Sequence, residues 1–174
     1  MSVEATFSFR ASFEEQTSND LGTAQQRHLF EFPGSLNPGG VYLTGTTDNK
    51  ADQVWSDTRT LAAAADSLDL RGGLTAAIGG AALAFIEVRG IFIRNKATAA
   101  ANILLVGAGS NPAFAGLFGA TGDILKVPAS GCFLWIAPLD TGGLTTTAGT
   151  ADILYIDAGA NTVSYDIVIW GVSA

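Results

Sequence analysis

From Ala97 to Ala174 the chain is a succession of short apolar runs cut by turns rich in Gly, Asn, Pro and Ser. The same stretch holds one basic residue, Lys126, against five acids, Asp123, Asp140, Asp152, Asp157 and Asp166. Apolar runs this short, bounded by turn residues, suit strands and not helices. The pattern restricts the region to an antiparallel β fold, and it leaves few side chains with which to run a reaction.

The N-terminal region differs in character. Val3, Ala5, Phe7, Phe9, Ala11 and Phe13 alternate with Glu4, Thr6, Ser8, Arg10, Ser12 and Glu14, and this period of two predicts a strand. Glu15–Arg27 is polar and unpatterned, which predicts a loop with one helical turn in Thr23–His28, and Pro33–Gly40 is rich in turn residues. Residues 1–40 therefore read as an N-terminal strand and arm, and residues 41–174 as a β-sandwich domain.

Within the second region, strands are expected at Val41–Thr44, Gln53–Trp55, Thr58–Ala65, Asp66–Leu70, Ala82–Arg94, Asn102–Val106 and Ala113–Phe118. Further strands are expected at Asp123–Val127, Gly131–Ala137, Asp152–Ile156 and Thr162–Trp170. Short strands at intervals of roughly 8–12 residues are the signature of an antiparallel sandwich or barrel. Parallel β units would need intervening amphipathic helices, and none is visible.

Composition narrows the class of partner. A formal charge of −7 and a pI near 4.4 argue against nucleic acid, whose backbone calls for basic groups. Hydrophobic residues make up 48% and charged residues 14%, against about 25% charged in ordinary soluble domains. Such a surplus needs a membrane or a subunit interface to cover it. The uncharged stretch Ala97–Gly122 is interrupted by Asn102, Ser110, Asn111, Pro112 and several glycines, so no membrane span is expected. Met1–Phe13 carries Glu4 and Arg10 without an apolar core, so no signal peptide is expected there.

An oligomeric interface is therefore the expected cover. Strand parity points the same way. In Thr162–Trp170 one face holds Val163, Tyr165, Ile167 and Ile169, while the other begins polar and ends with Val168 and Trp170. Ala82–Arg94 is apolar on both faces apart from Glu87 and Arg89. A lone sandwich shows polar outer faces, so two-sided strands imply a further layer, most simply a neighbouring subunit.

Candidate chemistry is sparse. His28 is the sole histidine, set in a polar arm with no partner fixed beside it except Glu31 in sequence. Cys132, the sole cysteine, lies in the apolar run Gly131–Trp135 and is expected in the core. One Cys and one His cannot close a zinc site. Asp48, Asn49 and Asp52 have oxygen-rich spacing but lack a full calcium-loop pattern.

Asp66, Asp123 and Asp152 share a motif of small residue, Asp, any residue, Leu, any residue, aliphatic, with the Asp expected to accept loop N–H groups at a strand entry. The glycine pairs form no phosphate cradle. Trp55, Trp135, Trp170, Tyr42, Tyr155 and Tyr165 suit core or interface packing, or the stacking of sugars. No catalytic residue, cofactor or metal is expected.

The order Ile91–Asn95, Ile103–Val106, Gly122–Val127, Pro128–Phe133, Thr147–Ile156 and Tyr165–Gly171 resembles the jelly-roll structural proteins of tailed-bacteriophage virions, in particular capsid decoration (cement) proteins. The resemblance covers about three quarters of the chain, from Val41 to the end. It implies a jelly-roll-like sandwich that acts as a virion protein on the capsid surface. It further implies synthesis in the host bacterial cytoplasm, the major capsid protein as partner, and assembly as a homotrimer. Phe7, Phe9 and Phe13 of the arm, with Val168 and Trp170 of the last strand, are the expected capsid or subunit contacts. The alternative is a carbohydrate-recognising tail or receptor-binding sandwich module.

Overall fold

The computed structural model describes the backbone of residues 5–6, 9–19, 22–32 and 41–42. With side chains it describes residues 51–76, 80–107, 114, 116–120, 122–137 and 142–173. Every regular element among them is a strand. In chain order these are β1 (Ala5–Thr6), β2 (Phe9–Asn19), β3 (Gly22–Phe32), β4 (Val41–Tyr42), β5 (Gln53–Ala62), β6 (Ala65–Asp69), β7 (Leu74–Thr75) and β8 (Ala82–Leu83). They continue as β9 (Glu87–Asn95), β10 (Leu104–Gly107), β11 (Ile124–Val127), β12 (Cys132–Ile136), β13 (Leu144–Thr145), β14 (Ile153–Asp157) and β15 (Thr162–Val172). Among the described residues no helix is long and apolar enough to cross a membrane.

The eight strands of four or more residues after β4 build two antiparallel sheets. One has the order β12-β9-β15-β5, with the short β13 also on β9; the other has the order β11-β10-β14-β6. The pairing is nested. β5 pairs β15, β6 pairs β14, β9 pairs β12 and β10 pairs β11, so the first strand meets the last and the fourth meets the fifth. One long antiparallel ribbon rolled over on itself produces this order, which is the jelly-roll arrangement. The fold is an all-β sandwich, as the strand spacing predicts.

Rolling the ribbon brings one face of each sheet inward. Val163, Tyr165, Ile167 and Ile169 of β15 are all 0% exposed, together with Ile91 and Ile93 of β9. Leu104, Val106, Leu154 and Ile156 of the second sheet, also 0% exposed, meet them across the interior. Full burial of one such side chain is worth about 1.5–3 kcal/mol, so these rows dominate the stability of the roll. Glu87 and Arg89, which interrupt the apolar run of β9, answer each other: Arg89 Nε donates to Glu87 Oε1 at 2.8 Å.

Several expected elements differ. Glu15–Arg27 is no loop with a helical turn, because β2 and β3 form a hairpin from Phe9↔Phe32 to Asn19↔Gly22. Its register sets Arg10 opposite Glu31 and Glu14 opposite Arg27. Opposite charges across a ladder favour pairing, but with polar residues on both faces no period-two signal survives in the sequence. Ala82–Arg94 divides into β8 and β9. Between them the Phe85 N–H turns to the Leu70 carbonyl and the Ile86 N–H to the Val172 carbonyl. In the expected strand Ala113–Phe118, Phe114 is buried but residues 116–118 form a turn and bend. The run Leu61–Ala65 is a tight reversal, with β5 ending at Ala62 and Ala63 at φ 51°.

Candidate functional site

The outward face of the five-stranded sheet is the feature on which function turns. The register aligns its residues in rows across β5, β15, β9 and β12. Val54, Trp170, Gly90 and Ile136 form one row; Ser56, Val168, Phe92 and Leu134 form the next; Thr58, Asp166, Arg94 and Cys132 form the third. The first two rows are apolar except for Ser56 and the third is polar, so the face divides into two halves.

In the apolar half, Trp170 is 4% exposed and packs with Ala51, Phe92, Leu134, Ile136 and Val168 in a cluster separate from the main core. Two glycines allow it. A Cβ on Gly90 would stand 1.9 Å from Trp170 Cζ2, so only glycine admits the indole there. A register shift between Trp170 and Gly171 also brings Gly171 so close to the Glu87 carbonyl that an added Cβ would lie 2.1 Å from its oxygen.

In the polar half, Thr58 Oγ1 donates to Asp166 Oδ1 at 2.7 Å and Lys96 Nζ reaches the same oxygen at 3.1 Å. Thr60 and Ser164 share a 2.7 Å hydroxyl hydrogen bond in the row beyond. The Thr58 hydrogen bond, aided by Lys96, holds the Asp166 carboxyl below the usual carboxylate range.

Val168 and Trp170 thus stand together on this face. Phe9 and Phe13 lie on β2, in register with Phe32 and His28, in a hairpin whose ladder includes no strand of the two sheets. Phe7 lies outside the described residues. Phe92, Leu134 and Ile136 complete the face; parity along one strand does not find them, because only the register sets them beside Val168 and Gly90. Cys132, expected in the core, is exposed, because β12 closes its sheet at an edge and Cys132 falls in the outward row.

The three Asp of the shared motif part company. Asp123 Oδ2 accepts the Ala120 N–H at 2.8 Å and Asp152 Oδ2 the Gly149 N–H at 2.5 Å, both capping turns three residues earlier. Asp66 instead ties the two sheets together. Its Oδ2 accepts from Arg59 Nη1 at 2.5 Å and from the Tyr165 hydroxyl at 2.9 Å. Arg59 also donates to Asp57 Oδ2 at 2.9 Å and stacks 5.7 Å from the Trp55 ring centre.

Burial first, and then the Asp66 charge, raise the Tyr165 hydroxyl far above the ordinary tyrosine value. Burial opposes the charge on Arg59, but the hydrogen bonds it donates to Asp57 and Asp66 outweigh it and raise its pKa. Each member of this network hydrogen-bonds across strands or along β5, which makes it a clip between the two sheets.

Asp48 and Asn49 lie outside the described residues. Asp52 accepts hydrogen bonds from the Ser173 N–H, at 2.8 Å, and from the Ser173 hydroxyl, which pins the end of β15. Among the described residues no three His, Cys, Asp or Glu side chains gather as a metal site. A pocket of about 440 Å³ opens between the edge strands β11 and β12, walled by Phe118, Asp123, Ile124, Leu125, Phe133 and Trp135. Comparison with known proteins finds no matching family model, no matching curated protein and no matching solved structure.

Proposed function

We propose that this chain is a non-enzymatic virion structural protein, a decoration protein that binds and stabilises the outer surface of a phage head. The observation that carries the reading is the two-sided sheet. Trp170, Val168, Phe92, Leu134 and Ile136 form an apolar patch on the side of the sheet opposite the core, next to a polar half built from Thr58, Asp166 and Arg94. An apolar centre beside a polar rim is the anatomy of a protein interface. The jelly-roll topology is common among virus shell proteins, which supports the reading by analogy of fold. Partners of this kind are the major capsid protein and further copies of this chain.

Mixing the purified protein with undecorated phage heads and imaging them tests the proposal. Regular density on the outer surface in many copies is the expected result. The rival, a carbohydrate-recognising tail module, draws on the pocket walled by Phe118, Phe133, Trp135 and Asp123, since aromatic faces and a carboxylate suit a sugar. Saturable glycan binding by protein that leaves heads bare would replace the first reading with the second.

A further inference from the structure

Among the described residues, four strands of four or more residues close the edges of the two sheets: β5 and β12 in one, with the two-residue β13 pairing β9 beyond the end of β12, and β6 and β11 in the other. An edge strand presents unpaired N–H and C=O groups, and proteins that must stay apart guard it with charge, proline or a bulge. Three of the four edges carry such charges: Asp57 and Arg59 on β5, Asp66 and Asp69 on β6, Lys126 on β11. The fourth does not. β12 reads Cys132-Phe133-Leu134-Trp135-Ile136, without charge, proline or glycine, and Cys132 is exposed while the other four residues are only half-buried.

The hydrogen bonds on its inner side fix which groups point outward. The Ala137 N–H donates to the Arg89 carbonyl at 2.8 Å, and the Asn95 N–H donates to the Gly131 carbonyl at 2.9 Å. These bonds flank the pairs Ile136↔Gly90 and Cys132↔Arg94, making both of them non-hydrogen-bonded pairs of the ladder. By alternation Leu134↔Phe92 is the third. The N–H and C=O groups of Cys132, Leu134 and Ile136 therefore point away from β9, to an edge that no other described strand occupies.

We infer that β12 pairs antiparallel with β12 of a second copy, about a two-fold axis at Leu134. Leu134 then stands opposite the partner's Leu134, Cys132 opposite the partner's Ile136, and Phe133 opposite the partner's Trp135. All three outward N–H groups and all three outward carbonyls of each strand find partners. Aromatic meets aromatic and the smaller apolar residues meet one another, the self-complementarity an isologous contact requires.

Charge selects the same edge. Copies of a chain with net charge −7 repel one another, and β12 is the edge where two can meet with no charge opposed to a like charge. Five residue pairs alone bury less than the roughly 1,200 Å² of a stable interface. Ile124 of the neighbouring β11, 46% exposed, and Phe133 and Trp135 of β12 line one pocket, so apolar groups beside the strand are placed to extend the contact. The contact is independent of the capsid reading: it joins copies in pairs, whether free or already in the trimer that the resemblance implies.

The test uses the full chain with Cys132→Ser and Leu134→Cys together. Two cysteines in directly opposed positions of an antiparallel pair have Cα atoms about 4.5–5.5 Å apart, within disulfide range. Diamide, which accepts the two electrons and two protons released, should convert most of this variant to a covalent dimer. The unaltered chain should not cross-link, because in this register the two Cys132 are offset by four residues, roughly 14 Å.

In parallel, Leu134→Lys should halve the mass measured by light scattering and leave the far-ultraviolet circular dichroism unchanged. Several results would overturn the inference. They are a monomeric unaltered chain at tens of micromolar, a folded Leu134→Cys variant that stays uncross-linked, and cross-linking through Cys132 itself. Dissociation on removal of residues 1–32 would instead make the N-terminal hairpin of a neighbour the occupant of this edge.

Discussion

The indole of Trp170 lies over the Cα of Gly90, its cross-strand partner, at a separation that leaves 1.9 Å between Trp170 Cζ2 and any Cβ placed on Gly90. The glycine is what allows the outer face of the sheet to hold a large aromatic side chain almost fully buried. Gly90→Ala should therefore displace the ring and cost about 1–3 kcal/mol, the usual penalty of overpacking. Combined with Trp170→Ala, the three atoms nearest the added methyl group are gone, so the double variant should be no less stable than Trp170→Ala alone. Urea denaturation of the three variants measures both effects.

The clip of Arg59, Asp66 and Tyr165 sets a limit at high pH. Burial raises the Tyr165 hydroxyl above its ordinary value, so the folded state holds that proton more tightly than the unfolded chain. Its contribution is then fully present below the unfolded value of about 10 and is lost as pH rises through the folded one. Tyr165→Phe removes the hydrogen bond to Asp66, and it also removes this dependence. Stability measured at pH 9 and at pH 11 should fall less in the variant than in the unaltered chain.

Ala63 turns the chain from β5 into β6 with φ 51°, a region costing a non-glycine residue about 1–2 kcal/mol. Its N–H is held by the Asn161 carbonyl at 2.9 Å, so the turn itself is anchored. Ala63→Gly relieves the strain but frees the unfolded chain, and the net gain should be a few tenths to 1 kcal/mol, seen as a raised thermal midpoint. Asn161→Ala leaves the backbone carbonyl in place and should not reproduce the gain.

Among the described residues the hairpin β2–β3 pairs with no strand of either sheet, and a two-stranded ribbon on its own is marginal in water. On the proposed function it gains its partner on the phage head. Removal of residues 1–32 should abolish head binding, read by co-sedimentation, while the circular dichroism and urea midpoint of the sandwich stay within error. Binding retained by the shortened chain would sink the anchoring role of the arm.

What the sequence determined by itself is what depends on neighbours along the chain. Period two placed Val163, Tyr165, Ile167 and Ile169 on one face of β15, and all four are buried. The turn-capping roles of Asp123 and Asp152 were legible for the same reason, since each accepts from an N–H three residues away. What joins distant segments was decided only by the tertiary structure. Asp66 looks identical to those two in sequence, yet it meets Tyr165, 99 residues on, because β5, β6 and β15 converge at one margin of the roll.

Parity placed Val168 and Trp170 on the second face, but only the ladder register set them beside Phe92, Leu134 and Gly90. Cys132 was expected inside because its neighbours are apolar, and it is exposed because β12 is an edge. Alternation is a property of the chain alone; whether a strand lies at the centre or the edge of a sheet depends on which strands fold against it.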